Sequence, residues 1–227
     1  MSRKSRLLSL LGGLVLQERV VRAVRVPSSS FRIVDLAPPP SGERAWGPGD
    51  KVQVLLDDED EVRTYTPVAS GADGSMSLVA FVHGDTPASR WAQRVTAGQR
   101  VRFMAPARSL SMPPGPITLI GDETSLAVAA AYSRARPGEV RALFEVGDGA
   151  ATADTVSELG LADVTIATRT GDGHGAALLD AIGDVRGSVG LTGGGALIQR
   201  VRDGLRDGGV RDIKAKAYWI EGRRGID

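Results

Sequence analysis

The sequence predicts two consecutive parts, an antiparallel β-barrel followed by a doubly wound parallel α/β layer. Up to about residue 113, short β-prone runs follow one another with turn-forming residues between them, which is typical of a small barrel. After the Pro-Pro-Gly-Pro segment at 113–116, short apolar runs alternate with helical segments. This alternation indicates parallel strands joined by helices. We therefore expect two domains, at residues 1–113 and 114–227.

Composition narrows the possible functions. The chain has 227 residues, 42% of them hydrophobic and 24% charged, with a net charge of +1. These values are ordinary for a globular protein and do not favour a nucleic-acid or membrane-surface partner. Cysteine is absent and there are two histidines, so we expect no iron–sulfur cluster and no metal site. An electron-transfer role would need an organic cofactor.

The N-terminal segment, residues 1–17, has basic residues followed by a short apolar run and superficially resembles a signal peptide. No small-residue cleavage site follows it, and we interpret it as a docked amphipathic segment. No apolar run approaches the roughly 20 residues that a membrane span needs. We expect no membrane span and a cytoplasmic protein.

The barrel half is predicted to contain about six strands and one short helix, interrupted by loops rich in Pro and Gly. The predicted strands are 20–26, 31–36, 51–56, the segment beginning at Arg63, 75–83 and 101–105, and the helix is 88–95. The acidic run at 57–61 is interpreted as a solvated hairpin tip.

The second half is predicted to alternate five short strands with four helices. The strands are 117–120, 140–146, 164–169, 187–192 and 213–219, and the helices are 125–135, 152–159, 175–182 and 196–205. An antiparallel barrel placed before such a layer is the plan of a two-domain flavoprotein reductase.

Two segments of the barrel half together predict a dinucleotide-binding cradle. The first is Arg-Thr-Tyr-Thr-Pro at 63–67, and the second is Phe-Val-His-Gly-Asp-Thr-Pro-Ala-Ser-Arg-Trp-Ala at 81–92. Arginine can bind a phosphate with two hydrogen bonds, tyrosine can stack on a ring, and threonine can direct a hydrogen bond at that ring's edge. A small-residue turn that begins a helix can hold a phosphate. We predict FAD as the ligand; the alternative for the first segment alone is a surface strand.

Several other motifs and residues each have both a structural and a ligand-binding interpretation. Gly-Asp-Glu-Thr at 121–124 is either a helix N-cap or a cofactor contact, and Gly193–Gly195 is either a close approach to a nucleotide or a flexible turn. Arg169 could bind a 2′-phosphate, although a surface arginine is the expected role. His174 lies in a Gly-rich segment that we interpret as a loop, and His83 is expected to hydrogen-bond a flavin.

Four motifs in this order resemble the siderophore-interacting proteins. They are Arg-Thr-Tyr-Thr, then His-Gly-Asp-x-Pro-Ala-Ser-Arg-Trp-Ala, then Gly-Asp-Glu-Thr-Ser-Leu, and a terminal Tyr-Trp-x-x-Gly-Arg-Arg-Gly. The resemblance implies a ferredoxin-reductase-like fold, with a Greek-key barrel for FAD and an α/β domain for NADPH or NADH. It also implies an enzyme that reduces ferric siderophores and releases Fe(II) in the cytoplasm.

The resemblance also assigns roles to individual residues. Arg63 would hold the FAD pyrophosphate, while Tyr65 and Thr66 would be the catalytic pair, the first stacking on the isoalloxazine and the second bonding near its N5. The cofactor-binding set would be Arg63, Thr64, Tyr65, Thr66, Val82, His83, Pro87, Ala88, Ser89, Arg90, Asp122, Glu123, Thr124, Gly193, Gly194 and Trp219. Lys216, Arg223 and Arg224 would face the siderophore.

Two alternatives stay open, and the first of them follows from a departure from the family pattern. The family usually has an Ala-Gly-Glu turn where this chain has Thr-Gly-Gly-Gly at 192–195. The protein could therefore be a flavin-binding module with a degenerate nicotinamide site. It could also be a flavin electron-transfer protein whose partner is another protein.

Overall fold

The computed structural model describes residues 16–39, 46–56, 61–171 and 173–223. Within these residues the chain forms two sheets, one of seven strands and one of five. The first sheet comprises β1 (Leu16–Ser28), β2 (Phe31–Leu36), β3 (Asp50–Leu56), β4 (Glu61–Tyr65), β5 (Pro67–Ala69), β6 (Met76–Phe81) and β7 (Arg100–Arg108). The second comprises β8 (Ile117–Gly121), β9 (Val140–Val146), β10 (Val164–Thr168), β11 (Ser188–Gly194) and β12 (Ile213–Trp219). The helices are α1 (Pro87–Arg94), α2 (Leu126–Ala135), α3 (Gly149–Leu159), α4 (Ala176–Ala181) and α5 (Gly195–Asp207), and a 3-10 turn at Glu123–Ser125 precedes α2.

The first sheet is a nearly closed antiparallel barrel, as the sequence predicts. Its strand order is β4-β3-β7-β1-β2-β6-β5, and the two end strands, β4 and β5, are consecutive in the chain on either side of Thr66. The last strand of the barrel returns to lie beside the first, which is a Greek-key return.

Two details of the barrel differ from the prediction. The segment after Thr66 forms a separate short strand, so the described part of the barrel has seven strands rather than six. β1 is 13 residues long, because its first part pairs with β7 and its second part pairs with β2. Residues 1–15 and 57–60, where we predict the docked segment and most of the hairpin tip, lie outside the described residues.

The second sheet is parallel throughout, in the order β10-β9-β8-β11-β12. α2 and α3 pack in one hydrophobic cluster and α4 and α5 in another, so the sheet is covered on both faces and is doubly wound, as predicted. The strand order reverses beside β8. In open α/β sheets, ligands bind at the carboxyl ends of the strands where the order reverses.

Alternation along the barrel strands divides their side chains between two cores. Phe31 and Ile33 of β2 pack against α2, in the same cluster as Leu126, whereas Val34 and Leu36 face the barrel interior. Because successive strand residues point to opposite faces, one strand serves both cores.

The connection between the sheets is fixed to α2. The Tyr132 hydroxyl donates to the Leu110 carbonyl (2.9 Å) and accepts from the Met112 amide (3.1 Å). The predicted division after residue 113 falls in this connection, between β7 and β8, and stays a proposal. No helix among the described residues is long and apolar enough to cross a membrane.

Val34→Ala is expected to lower the free energy of unfolding by about 2 kcal/mol, because it removes buried methyl groups and leaves a cavity. Val34 is 0% exposed in the barrel core. Val26→Ala is the matched control, since Val26 is 60% exposed on β1 and its replacement should change stability by less than about 0.5 kcal/mol. Urea denaturation measures both. Equal effects of the two replacements would contradict the assigned core.

Candidate active site

A cleft of about 750 Å³ lies between the barrel and the carboxyl edge of the parallel sheet. Its barrel wall is formed by β4, the end of β6 and the start of α1. Its opposite wall is formed by the end of β12 and by the segments that follow β8, β9 and β10. A volume of this size is in the range of small-molecule and cofactor sites.

Four consecutive cradle residues line the cleft: Arg63, Thr64 and Tyr65 on β4, and Thr66 immediately after it. The Arg63 guanidinium donates to the Val62 carbonyl (2.8 Å) and pairs with the Glu61 carboxylate. A phosphate at this position would therefore compete with Glu61 for the guanidinium.

Tyr65 carries a buried polar atom without a partner in the described chain. Its ring packs against Trp91 at 5.6 Å between centroids, and its hydroxyl oxygen is buried without a hydrogen bond. Burial raises the pKa of Tyr65, and the Arg63 charge opposes that rise. An unpaired buried hydroxyl costs about 1–3 kcal/mol, and a ligand hydroxyl in the cleft would remove this cost.

The turn into α1 is held by two hydroxyl side chains. Thr86 is the N-cap of α1, and its hydroxyl oxygen accepts from the Ser89 amide (3.1 Å). The Ser89 hydroxyl accepts from the His83 amide (3.0 Å) and donates to the His83 carbonyl (2.9 Å). Ser89 thus fixes the backbone of His83, whose ring stacks on Phe81 at 5.0 Å and 19°.

Asp122 joins three strands of the parallel sheet behind the cleft. One carboxylate oxygen accepts from the amide and hydroxyl of Thr124. The other accepts from the Gly194 amide (2.7 Å) and from the Trp219 indole (2.8 Å). The Asp122 side chain is 1% exposed. It caps the turn after β8, and it also cross-links β8, β11 and β12.

Gly193 and Gly194 allow this arrangement. Gly193 has φ of +106°, and a Cβ there would lie 2.5 Å from the Asp122 carboxyl carbon. A Cβ on Gly194 would lie 2.5 Å from the Trp219 ring. The glycines of the Thr-Gly-Gly-Gly segment therefore make room for the Asp122–Trp219 contact.

Charged side chains cluster at the ends of β8, β9 and β10. Glu123 accepts from the Gly147 amide (2.7 Å) and lies 3.5 Å from Arg169. Arg169 also lies 3.6 Å from Glu145, a fully buried carboxylate that accepts from the Gly175 amide. The Arg169 guanidinium is thus held between two carboxylates.

His174 lies beside this cluster. Its ring contacts the edge of Trp219 at 5.8 Å, and its Nδ1 is 4.0 Å from Glu145. His174, Arg169 and Trp219 all line the cleft, so the segment after β10 forms part of its wall.

The C-terminal strand brings Tyr218 to the cleft. Burial raises the pKa of Tyr218, while hydrogen bonds with Thr66 and Thr192 act in the opposite direction. The contact between Tyr218 and Thr66 links the predicted catalytic threonine of the barrel to the parallel sheet.

The structure gathers most of the predicted site residues around one cleft. Those that line it are Arg63, Thr64, Tyr65, Thr66, His83, Ala88, Glu123, Thr124, Lys216, Trp219 and Arg223. Val82, Pro87, Ser89, Arg90, Asp122, Gly193 and Gly194 are outside the lining, and Arg224 lies outside the described residues. The cofactor and substrate roles of all these residues stay predictions.

The predicted set of site residues omits several residues of the lining, among them Lys51, Phe81, Thr86, Arg169, His174 and Tyr218. Phe81 and Thr86 nevertheless lie within the predicted cradle segment, and binding of a 2′-phosphate is one of the two interpretations of Arg169. Thr86 had a usable signal, because a threonine immediately before a proline and a helix is a typical N-cap. Lys51 and Tyr218 reach the cleft because β3 and β12 pair with strands remote in sequence, which a local pattern does not report.

Comparison with known proteins agrees with this geometry. Residues 26–110 match the family model described as the siderophore-interacting FAD-binding domain. A siderophore utilization protein from T. fusca superposes with a TM-score of 0.73 and 23% identity, over 94% of this chain and 96% of that chain. The siderophore-interacting protein from Aeromonas hydrophila gives a TM-score of 0.71 and 20% identity, over 93% and 94% of the two chains. No curated protein sequence matches the chain.

A further solved structure broadens the comparison. Phthalate dioxygenase reductase, described as a modular structure for electron transfer from pyridine nucleotides to [2Fe-2S], has a TM-score of 0.70 at 14% identity, over 92% of this chain and 69% of that chain. The fold is therefore ferredoxin-reductase-like. The predicted resemblance is to the same family, since residues 26–110 match the model of the siderophore-interacting FAD-binding domain.

Gly194→Ala is expected to destabilise the protein by about 2 kcal/mol or more, because the new methyl group would overlap the Trp219 ring. Backbone strain does not contribute, since Gly194 has φ of −68°. Gly208→Ala is the matched control: Gly208 has φ of −74° and its nearest Cβ contact would be 3.4 Å. Thermal denaturation of the two variants should separate them; similar melting temperatures would show that Trp219 does not pack against Gly194.

Proposed function

We propose that this protein is a cytoplasmic, FAD-dependent enzyme that takes hydride from NADPH or NADH and reduces ferric siderophores, releasing Fe(II). The observation that carries the proposal is the cleft between the barrel, whose residues 26–110 match the siderophore-interacting FAD-binding domain model, and the carboxyl edge of a parallel sheet. Each wall supplies the kind of site that one of the two nucleotides needs.

The barrel wall fits FAD in several respects. Tyr65 offers a buried hydroxyl without a partner in the described chain, and the Phe81–His83 stack offers an aromatic surface. Arg63 and Lys51 place positive charge on the same wall, as a pyrophosphate requires. When bound, FAD would supply the chemistry of accepting a hydride and passing its two electrons singly to two Fe(III) ions.

The opposite wall is where we place the nicotinamide coenzyme, since ligands of such sheets bind where the strand order reverses. Glu123 and Thr124 at the β8 turn would face it, and Trp219 would limit its depth in the cleft. Because the Trp219 indole donates a hydrogen bond to Asp122, the position of the Trp219 ring would be fixed before any ligand binds.

Lys216 and Arg223 would bind the ferric chelate. Both line the cleft, Lys216 on β12 and Arg223 in the segment after it. Cations there would attract an anionic chelate and hold it near the flavin. The siderophore as the electron acceptor rests on the family match of the barrel half and on the names of two similar structures.

Tyr65→Phe should weaken FAD binding by about fivefold to tenfold, because one hydrogen bond to the ligand is lost. The same change should raise the stability of the ligand-free protein slightly, since it removes an unpaired buried hydroxyl. Fluorescence titration with FAD and urea denaturation measure the two effects. Arg63→Ala should weaken FAD binding further, with Arg206→Ala on the exposed face of α5 as its control. Tighter or unchanged FAD binding by Tyr65→Phe would show that the Tyr65 hydroxyl does not contact FAD.

The purified protein should be yellow, and anaerobic addition of NADPH or NADH should bleach the flavin absorbance. A ferric siderophore added next should restore the absorbance with formation of Fe(II), which a ferrous chelator detects. Lys216→Ala should slow this second phase by about tenfold without changing the first, since it removes a charge that faces the acceptor.

Two outcomes of this experiment would replace the proposed activity. Bleaching without reoxidation by ferric chelates would favour an electron-transfer protein with a protein partner. Bound flavin that neither coenzyme reduces would favour a flavin-binding module with a degenerate nicotinamide site.

A further inference from the structure

Three charged side chains form a carboxylate clamp at the carboxyl ends of β8, β9 and β10. Arg169 directly follows β10, and its amide donates to the Val146 carbonyl at the end of β9 (2.8 Å). Its guanidinium lies 3.5 Å from Glu123, in the turn after β8, and 3.6 Å from Glu145 on β9. One arginine between two glutamates leaves the clamp with a net charge of −1.

The atoms of Arg169 that face the carboxylates belong to one edge of the guanidinium. Nη2 faces Glu123 and Nε faces Glu145, and Nε is buried. An arginine binds an oxyanion bidentately through two neighbouring N–H groups. Here one such pair is directed at the protein rather than at the cleft, so a phosphate would have to compete with both carboxylates for the guanidinium.

The two carboxylates are themselves fixed to the backbone. Both oxygens of Glu145 accept from the Gly175 amide (2.9 and 2.8 Å), and the residue is 0% exposed. One oxygen of Glu123 accepts from the Gly147 amide (2.7 Å), and the other faces Arg169. A ligand that drew Arg169 away would leave Glu145 as a buried charge without its counterion, which is strongly unfavourable.

The clamp lies where the ribose of a dinucleotide is expected. In doubly wound sheets the pyrophosphate lies at the turn after the first strand, and an arginine near the end of the next strand accommodates the 2′-phosphate of NADPH. Those strands are β8 and β9 here, and Glu123 and Arg169 both line the cleft. The other arginines and lysines of the described lining belong to the barrel, to β12 or to the segment after β12.

We infer that the carboxylate clamp selects NADH over NADPH, with Glu123 and Glu145 as the residues that determine this specificity. The inference rests on the proposed function and narrows its coenzyme. A 2′-phosphate at the clamp meets a net negative charge, and juxtaposed like charges suppress binding of the wrong partner. The 2′-hydroxyl of NADH is uncharged and can donate to a carboxylate. Arg169 is then neither a surface arginine nor a phosphate ligand, the two roles that its place in the sequence suggests.

The test compares NADH with NADPH in anaerobic reduction of the flavin of the purified protein. We expect kcat/KM for NADH to exceed that for NADPH by at least about tenfold, because the electrostatic penalty falls on the 2′-phosphate alone. Equal values for the two coenzymes, or a higher value for NADPH, would overturn the inference.

Glu145→Gln tests the clamp from outside the cleft, since Glu145 is not part of the lining. The change removes one negative charge and keeps an oxygen that can accept from the Gly175 amide. The preference for NADH should fall by about fivefold to tenfold. Glu123→Gln releases Arg169 from its other side and should lower the preference in the same direction. A preference that neither folded variant lowers would contradict the inference.

Glu158→Gln is the matched control. It makes the same change of charge on α3, where Glu158 pairs with Arg25 outside the cleft lining. It should leave the preference for NADH unchanged. A fall as large as that of Glu145→Gln would show that the net charge of the molecule, rather than the clamp, sets the preference, and would overturn the inference.

Equilibrium binding of NAD⁺ and NADP⁺ separates this inference from the proposed function. Calorimetric titration of the purified protein should give NAD⁺ the lower Kd by at least about tenfold, whether or not the flavin is reduced. Tighter binding of NAD⁺ without flavin reduction by either coenzyme would refute the proposed hydride transfer and support the clamp. Equal binding of the two would refute the clamp and leave the proposed function in place, and binding of neither would refute both.

Discussion

The carboxylate of Asp122 is the interaction on which the cleft wall depends. Its four hydrogen bonds hold the 3-10 turn after β8, the start of α5 and the indole of Trp219 in one fixed arrangement. A carboxylate that is 1% exposed would be costly without these donors. With them, it sets the position of β12, and β12 carries Lys216, Tyr218 and Trp219 to the cleft.

The fold was largely predictable from the sequence, because the two halves use different periodicities. Alternation in segments such as Phe31–Leu36 indicates barrel strands, and the compact apolar run at Ile117–Ile120 followed by a helix indicates the parallel layer. The sequence pattern does not predict the start of β5, because β5 begins at Pro67 and proline disfavours a strand. It also does not predict that β1 pairs with both β7 and β2, because those strands are remote from each other in sequence.

The site was predictable where one local segment carries it. Tyr65 and Thr66 reach the cleft as expected because Tyr65 is the last residue of β4 and Thr66 follows it directly. The contact between Thr66 and Tyr218 joins residues 152 positions apart in numbering (218 minus 66), and no spacing rule reports it. The Thr-Gly-Gly-Gly segment departs from the family motif, and its first two glycines are required by the volumes of Asp122 and Trp219.

The packing of α2 against the barrel has a mechanical consequence. Phe31 and Ile33 of one sheet share a continuous apolar core with Leu126 and Tyr132 of the other half. Separating the halves would expose that core to water at a cost of about 25 cal/mol for each Å² of apolar surface, so opening by a hinge is unfavourable. Ligands would have to enter and leave a cleft of nearly constant width, and side-chain rotations, such as that of Arg63, would set the rate of their exchange.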